Sequence, residues 1–248
     1  VIDNSSIVNW IVQRSFEIGL ADILPFGCVT KGMKGEDLTE MGDLLESGAC
    51  GFSDDGRPVM SGEVMRRALE YSKYFGSFIS CHEEETTLFN KGSIHEGKVS
   101  AITGLRAAPA EAESVMVARD IELARLTGGR VHICHVSSRH SVDLILRGKE
   151  AGINVTAEVT PNHLSMTDEI CLTYDTSTKV NPPVRAETDR QALLQGLKDG
   201  VIDCIASDHA PHHIDDKFVE YDLAAFGMLG LQLTVPLLMA QIEQGKLS

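Results

Sequence analysis

The sequence predicts an α/β fold assembled from parallel β/α units. Apolar, β-branched runs recur six times along 248 residues. Most are followed by a segment of helical periodicity, the alternation expected of parallel sheets with crossover helices. The residues able to do chemistry gather at the C-terminal ends of those runs. Six units fit an open doubly wound sheet or most of an eight-unit barrel. No G-x-G-x-x-G follows any run, so a dinucleotide site is unsupported.

The runs cover residues 21–30, 49–55, 77–83, 130–138, 154–160 and 204–211. Between the second and third, residues 62–75 place Val64, Met65, Ala68, Leu69 and Ser72 on one helical face. Residues 109–126 are a second clear helix, with Pro109 suited to the first turn and Gly128-Gly129 following the end. Residues 229–241 are a further helical stretch. No internal repeat, linker or low-complexity tract interrupts the pattern, so residues 1–248 are expected to form a single domain or part of one.

Composition narrows the function. Lys+Arg 22 against Asp+Glu 36 gives a net charge of −14, which argues against nucleic acid or anionic lipid as the main partner. A small anionic substrate stays open, because a bound metal inverts the local field. No apolar run is long enough to span a membrane. Val1-Ile2-Asp3-Asn4 does not open a signal peptide. The six cysteines form no C-x-x-C pair and read as buried, reduced thiols of a cytoplasmic protein.

Asp54-Asp55 close the second run, His82 the third and His135 the fourth. Glu158 lies near the end of the fifth, and Asp208 and His209 close the sixth. In a β/α barrel those ends converge on one face, where active sites sit. Two imidazoles and two carboxylates suit a catalytic Zn²⁺ site that leaves a position for water. Bound metal then activates that water near neutral pH, and a carboxylate takes its proton. Singly, each residue has an ordinary reading: Asp54-Asp55-Gly56 a turn, Asn181-Pro182-Pro183 a loop stop, a strand-end His a satisfied polar group. Four independent runs ending this way shift the weight. Period-two geometry sets His132 against His135, and Asp54 against Asp55, on opposite faces; sequence alone does not choose within either pair.

These residues stand in an ordered series of motifs that resembles the dihydroorotases. The series is G-A-C-G-F-S-D-D-G-R-P-V (48–59), H-E-G-K-V-S (95–100), V-H-I-C-H-V-S-S (131–138), A-E-V-T-P-N-H-L (157–164), K-V-N-P-P-V-R (179–185) and A-S-D-H-A-P-H (206–212). The resemblance implies an incomplete (β/α)₈ barrel of the metal-dependent hydrolase type, with about strands 3–8 present. It also implies reversible hydrolysis of dihydroorotate to N-carbamoyl-L-aspartate, in pyrimidine biosynthesis. By matching motif, Asp55, His82, His135 and Asp208 are implied metal ligands for one or two zinc ions, with Asp208 also the general base. No lysine lies in residues 49–55, so an aspartate-bridged type is implied. Asn181 is implied to hold the pyrimidine ring, His212 the substrate carboxylate, and the Phe226-Gly227 backbone to face the ring. A homodimer and a complex with aspartate transcarbamoylase are partners the resemblance admits.

The chain departs from the family pattern in places. Thr160-Pro161-Asn162-His163 stands for T-P-H-H, and residues 103–109 differ from L-G-L-x-G-x-P. No H-x-H occurs among the nine histidines, although the family sets such a pair at the end of strand one, followed by a substrate-binding arginine. The expectation is therefore a segment of a longer enzyme, inactive by itself and with open sheet edges. Other readings are an allantoinase- or hydantoinase-like amidohydrolase, or a non-catalytic scaffold of aspartate transcarbamoylase. Retention of Asp55, His82, His135 and Asp208 weighs against the scaffold.

Overall fold

The computed structural model describes residues 1–247. Its strands are β1 Phe26–Gly27, β2 Gly51–Ser53, β3 Ile79–Cys81, β4 Ile94–His95, β5 Ala107–Ala108, β6 Val131–Ile133, β7 Val155–Val159 and β8 Cys204–Ile205. The helices are α1 Ser5–Ile18, α2 Met41–Glu46, α3 Gly62–Tyr74, α4 Thr86–Phe89, α5 Lys98–Thr103, α6 Glu111–Thr127, α7 Arg139–Glu150, α8 Pro161–Ser165, α9 Glu187–Lys198, α10 Ile214–Lys217 and α11 Leu231–Glu243. Each apolar run contains a strand, but a shorter one than predicted. Pro25, with no N–H for the ladder, immediately precedes the two-residue β1. The run at 204–211 turns out of the sheet at Asp208, whose φ is +44°. The pair β4–β5, two residues each and parallel, is too short to carry a periodicity.

Contacts divide the chain into two compact units, neither continuous in sequence. The first comprises Val1–His82, Arg119–Ile133 and Glu150–Val155. Within it β1 pairs with β2, β2 with β3 and β3 with β6, all parallel. The Val131 amide donates to the Asn154 carbonyl at 3.0 Å, continuing the ladder toward β7. Helix α3 shows why these residues fold as they do. The Ser61 hydroxyl accepts from the Val64 amide and caps the start. Met65, Ala68, Leu69 and Ser72 are buried along the face the spacing predicts, while Val64 is only half-buried. Full burial of Leu69 stabilises by roughly 1.5–3 kcal/mol. Gly129 lets the backbone approach this helix: a Cβ there would stand 2.9 Å from the Leu69 carbonyl oxygen. Helix α6 starts at Glu111, two residues after Pro109, and is followed by Gly128 at φ +65°. The helix end is thus as predicted, while Pro109 precedes the first turn.

The second unit comprises Glu83–Ala118, Cys134–Lys149 and Thr156–Ser248. Here β7 and β8 run parallel, with Glu158 opposite Cys204. The Val136 amide donates to the Glu158 carbonyl at 2.9 Å. One apolar cluster joins Ile94, Val99, Cys171, Val180, Val184 and Tyr221; a second joins Phe89, Ala108 and Ala112 with Phe226 against them. Buried Glu113 lies at the N-terminus of α7. Its carboxylate accepts from the Ser137 and Ser138 amides and from the Ser137 and Ser141 hydroxyls. Burial opposes its charge, yet Arg185 and these donors hold its pKa below the ordinary value.

All six cysteines are free. Only Cys28, Cys81 and Cys171 are buried; Cys204 is exposed and Cys50 and Cys134 are half-exposed. The expectation of uniform burial therefore fails: Cys204 lies on β8, whose two residues are both at least partly exposed, and Cys50 and Cys134 lie just outside β2 and β6. No described helix is long and apolar enough to cross a membrane.

Candidate active site

In the first unit Asp54 and Asp55 have different surroundings. Asp54 is 4% exposed. It accepts from the Val29 amide at 2.8 Å, from the Thr30 amide at 3.2 Å and from the Thr30 hydroxyl. Its lone pairs close the loop after β1. Asp55 is the next residue past β2, and its side chain is 56% exposed. Its Oδ1 lies 3.5 Å from Nδ1 of buried His82, which follows β3. A carboxylate and an imidazole at neighbouring strand ends are a donor pair of the kind divalent metals take.

In the second unit His135 and Asp208 share an uncommon conformation. Among the described residues, six non-glycine residues have positive φ. Met33, Asn90, Lys91 and Tyr174 lie in turns or at helix ends. His135, at +33°, and Asp208, at +44°, follow strands β6 and β8. Left-handed backbone at such residues costs about 1–3 kcal/mol each and clusters at functional sites. It also corrects the face argument for His132 and His135. Strand β6 ends at Ile133, so strand alternation does not extend to His135, which is buried beyond it. His132 stays in the strand and meets the Phe78 ring edge-on, with centroids 6.5 Å apart.

The proposed substrate contacts also lie in the second unit. Asn181 donates from Nδ2 to Glu84 Oε2 at 2.7 Å, which orients its amide. The Asn181–Pro182 peptide is cis. Buried His163 braces this loop: one ring nitrogen lies 2.8 Å from the Thr160 hydroxyl, the other 3.0 Å from the Pro182 carbonyl. Burial, against the opposing Pro182 contact, lowers its pKa from 6.5 to about 4, so the ring is neutral. Gly227 has φ +137°, and a Cβ there would fall 2.5 Å from the Ala210 carbonyl oxygen and 3.0 Å from His212 Cδ2. The fold therefore brings Gly227, Ala210 and exposed His212 together, and only glycine fits. The Phe226 ring packs 6.0 Å from Phe89 and 4.4 Å beneath Lys179 Nζ. His209 has a different task. Its Nδ1 accepts from the Gly230 and Leu231 amides at 3.0 and 3.3 Å, capping α11.

Sequence reasoning missed Glu84, Glu113, Lys179, Arg185 and Lys217. Glu84 meets its partner across 97 residues, and no periodicity reports such a pairing. Lys179, Arg185 and Lys217 lie in or just beyond the quoted motifs, but only packing shows what they hold.

A family profile described as dihydro-orotase-like matches residues 2–141. A dihydroorotase of Pelotomaculum thermopropionicum is 52% identical over 242 residues, covering 98% of this chain and 56% of the relative. One from Geobacter sp. strain M21 is 44% identical over 247 residues, covering 100% and 58%. Among solved structures, the L-hydantoinase of Arthrobacter aurescens superposes with a TM-score of 0.83 at 23% identity, covering 100% of this chain and 57% of its own. Dihydroorotase from Saccharomyces cerevisiae, solved with 5-fluoroorotic acid, gives 0.77 at 14% identity, covering 99% and 68%. These likenesses define the fold class: α/β, a partial (β/α)₈ barrel. Within that class the chain belongs to the dihydroorotase-like family. It spans about 56% of the length of the curated relative most identical among those named above.

Proposed function

We propose that the full-length protein is a zinc-dependent dihydroorotase, with Asp55, His82, His135 and Asp208 as metal ligands. The observation that carries the reading is the left-handed backbone of His135 and Asp208 at two strand ends. A strained conformation persists at a functional position where packing over-determines it. The pairing of exposed Asp55 with buried His82 supports the same donor chemistry. Nitrogen and oxygen donors of this kind fit Zn²⁺, one ion or two.

When bound, the metal supplies Lewis acidity toward water and the ring amide. Asp208 takes the proton of the attacking water and delivers it to the leaving ring nitrogen. Water oxygen adds to the ring carbonyl carbon, and the C–N bond breaks. Asn181, oriented by Glu84, holds the ring edge. The Phe226-Gly227 backbone faces the ring, and His212 beside Gly227 meets the substrate carboxylate. The substrate is small and anionic; the resemblance admits a homodimer and an aspartate transcarbamoylase complex, and implies a cytoplasmic location.

The substrate is favoured by the dihydroorotase relatives at 44–52% identity; the hydantoinase likeness, at 23% identity, rests on fold alone. Turnover by the full-length protein of dihydroorotate, hydantoin and allantoin at equal concentration tests the choice. Dihydroorotate is expected to be hydrolysed with the highest kcat/KM; preference for either of the others overturns it.

A further inference from the structure

We propose that Lys217 is a positioning residue that fixes the substrate-facing loop, with Lys179 as its second anchor. The Lys217 ammonium donates to the carbonyl oxygens of Ala225 at 2.7 Å, Gly227 at 2.8 Å, Thr176 at 3.2 Å and Lys179 at 3.4 Å. Three N–H groups are thus shared among four backbone oxygens. Two of those oxygens flank Phe226, and two lie on the strand of chain that leads into Asn181. The Gly227 amide closes the link by donating to the Lys179 carbonyl at 3.0 Å.

Lys179 works from the other side. It is 2% exposed, and its ammonium donates to the Tyr221 and Asp222 carbonyls at 2.9 and 3.0 Å. It also lies 4.4 Å from the centre of the Phe226 ring, a cation–π contact. Burial is the main force on both amines and lowers both pKa values. Lys179 spends its donors on the carbonyls of residues 221–222, and Lys217 on those of residues 225–227 and 176–179. Burying a charge is costly unless its donors are satisfied, so such an arrangement persists where the geometry it fixes matters. The far side of the loop is tied by the Ala210 amide, which donates to the Met228 carbonyl at 3.0 Å. Residues 225–228 are thereby tied to Lys179, two residues before Asn181, and to Ala210, two residues after Asp208.

The role rests on the reading of Phe226-Gly227 as the backbone that meets the ring. The test is Lys217→Met in the full-length protein. Three quantities are read: bound zinc, KM and kcat for dihydroorotate, and the rate of cleavage by a protease within residues 218–224. Methionine keeps the bulk of the stem and removes every donor. Expected are unchanged zinc, a KM raised roughly tenfold with kcat within about threefold, as loss of uniform binding gives, and faster cleavage of that segment. In Lys217→Ala, added ethylammonium should restore KM in part. Unchanged KM and unchanged cleavage overturn the proposal, as does cleavage spread evenly over the chain, which marks general unfolding. If the unsubstituted protein does not turn over dihydroorotate, the functional reading fails. Protection of residues 218–224 then still decides whether Lys217 holds the loop.

Discussion

At the scale of single residues, the two neighbouring aspartates carry opposite duties and make opposite predictions. Asp54 satisfies two amides and one hydroxyl in the interior. Asp54→Ala orphans them and should cost ~3 kcal/mol in denaturant unfolding, before any question of activity arises. Asp55 is largely exposed, so Asp55→Ala should change stability by no more than about 0.5 kcal/mol while lowering bound zinc. Equal destabilisation by both would contradict this division. Asp208→Asn should lower kcat by roughly 10²–10⁴-fold, the range for loss of a general base; near-normal turnover would remove it from that role. His163 makes a pH prediction. In the unfolded chain it takes up a proton below about 6.5, whereas the buried ring does so only near 4. The unfolded state therefore binds more protons in that window, and stability should fall as pH drops from 6.5 to 4. His95, lowered to about 4 by burial and then by Arg185, adds in the same direction. Urea midpoints measured across this range should show a shallower slope for His163→Gln.

At the scale of elements, what the sequence reveals depends on how local the cause is. Helix α3 is legible because its apolar spacing, its Ser61 cap and its buried face lie within 14 residues. Ser61→Ala should cost about 1 kcal/mol and Leu69→Ala about 2–5 kcal/mol, read by thermal or denaturant unfolding. The six strands are legible as apolar runs, but not their ends. The runs at 21–30 and 204–211 contain Pro25 and the turn at Asp208, and hydrophobicity does not register either one. His135 shows the same limit. Its distance from His132 in sequence has meaning only inside a strand, and β6 stops at Ile133. The anchors of residues 225–228 were invisible, because a lysine that donates to carbonyls looks in sequence like any solvated lysine.

At the scale of the whole molecule, motifs spread along the chain pointed to the family, and a relative aligned over 98% of the chain agrees. The proposed ligand residues were readable because each terminates an apolar run, a relation between fold and chemistry that holds across β/α barrels. Their backbone strain was not readable, since φ is imposed by packing around them. The net charge of −14 makes a local cation a natural complement to the proposed small anionic substrate. The proposed metal is central, and anomalous diffraction at the zinc edge from crystals of the full-length protein tests it most directly. The expected result is a peak about 2.0–2.2 Å from a ring nitrogen of His135 and a carboxylate oxygen of Asp208. A peak on His132 and Glu158 instead, or none in zinc-soaked crystals, would contradict it.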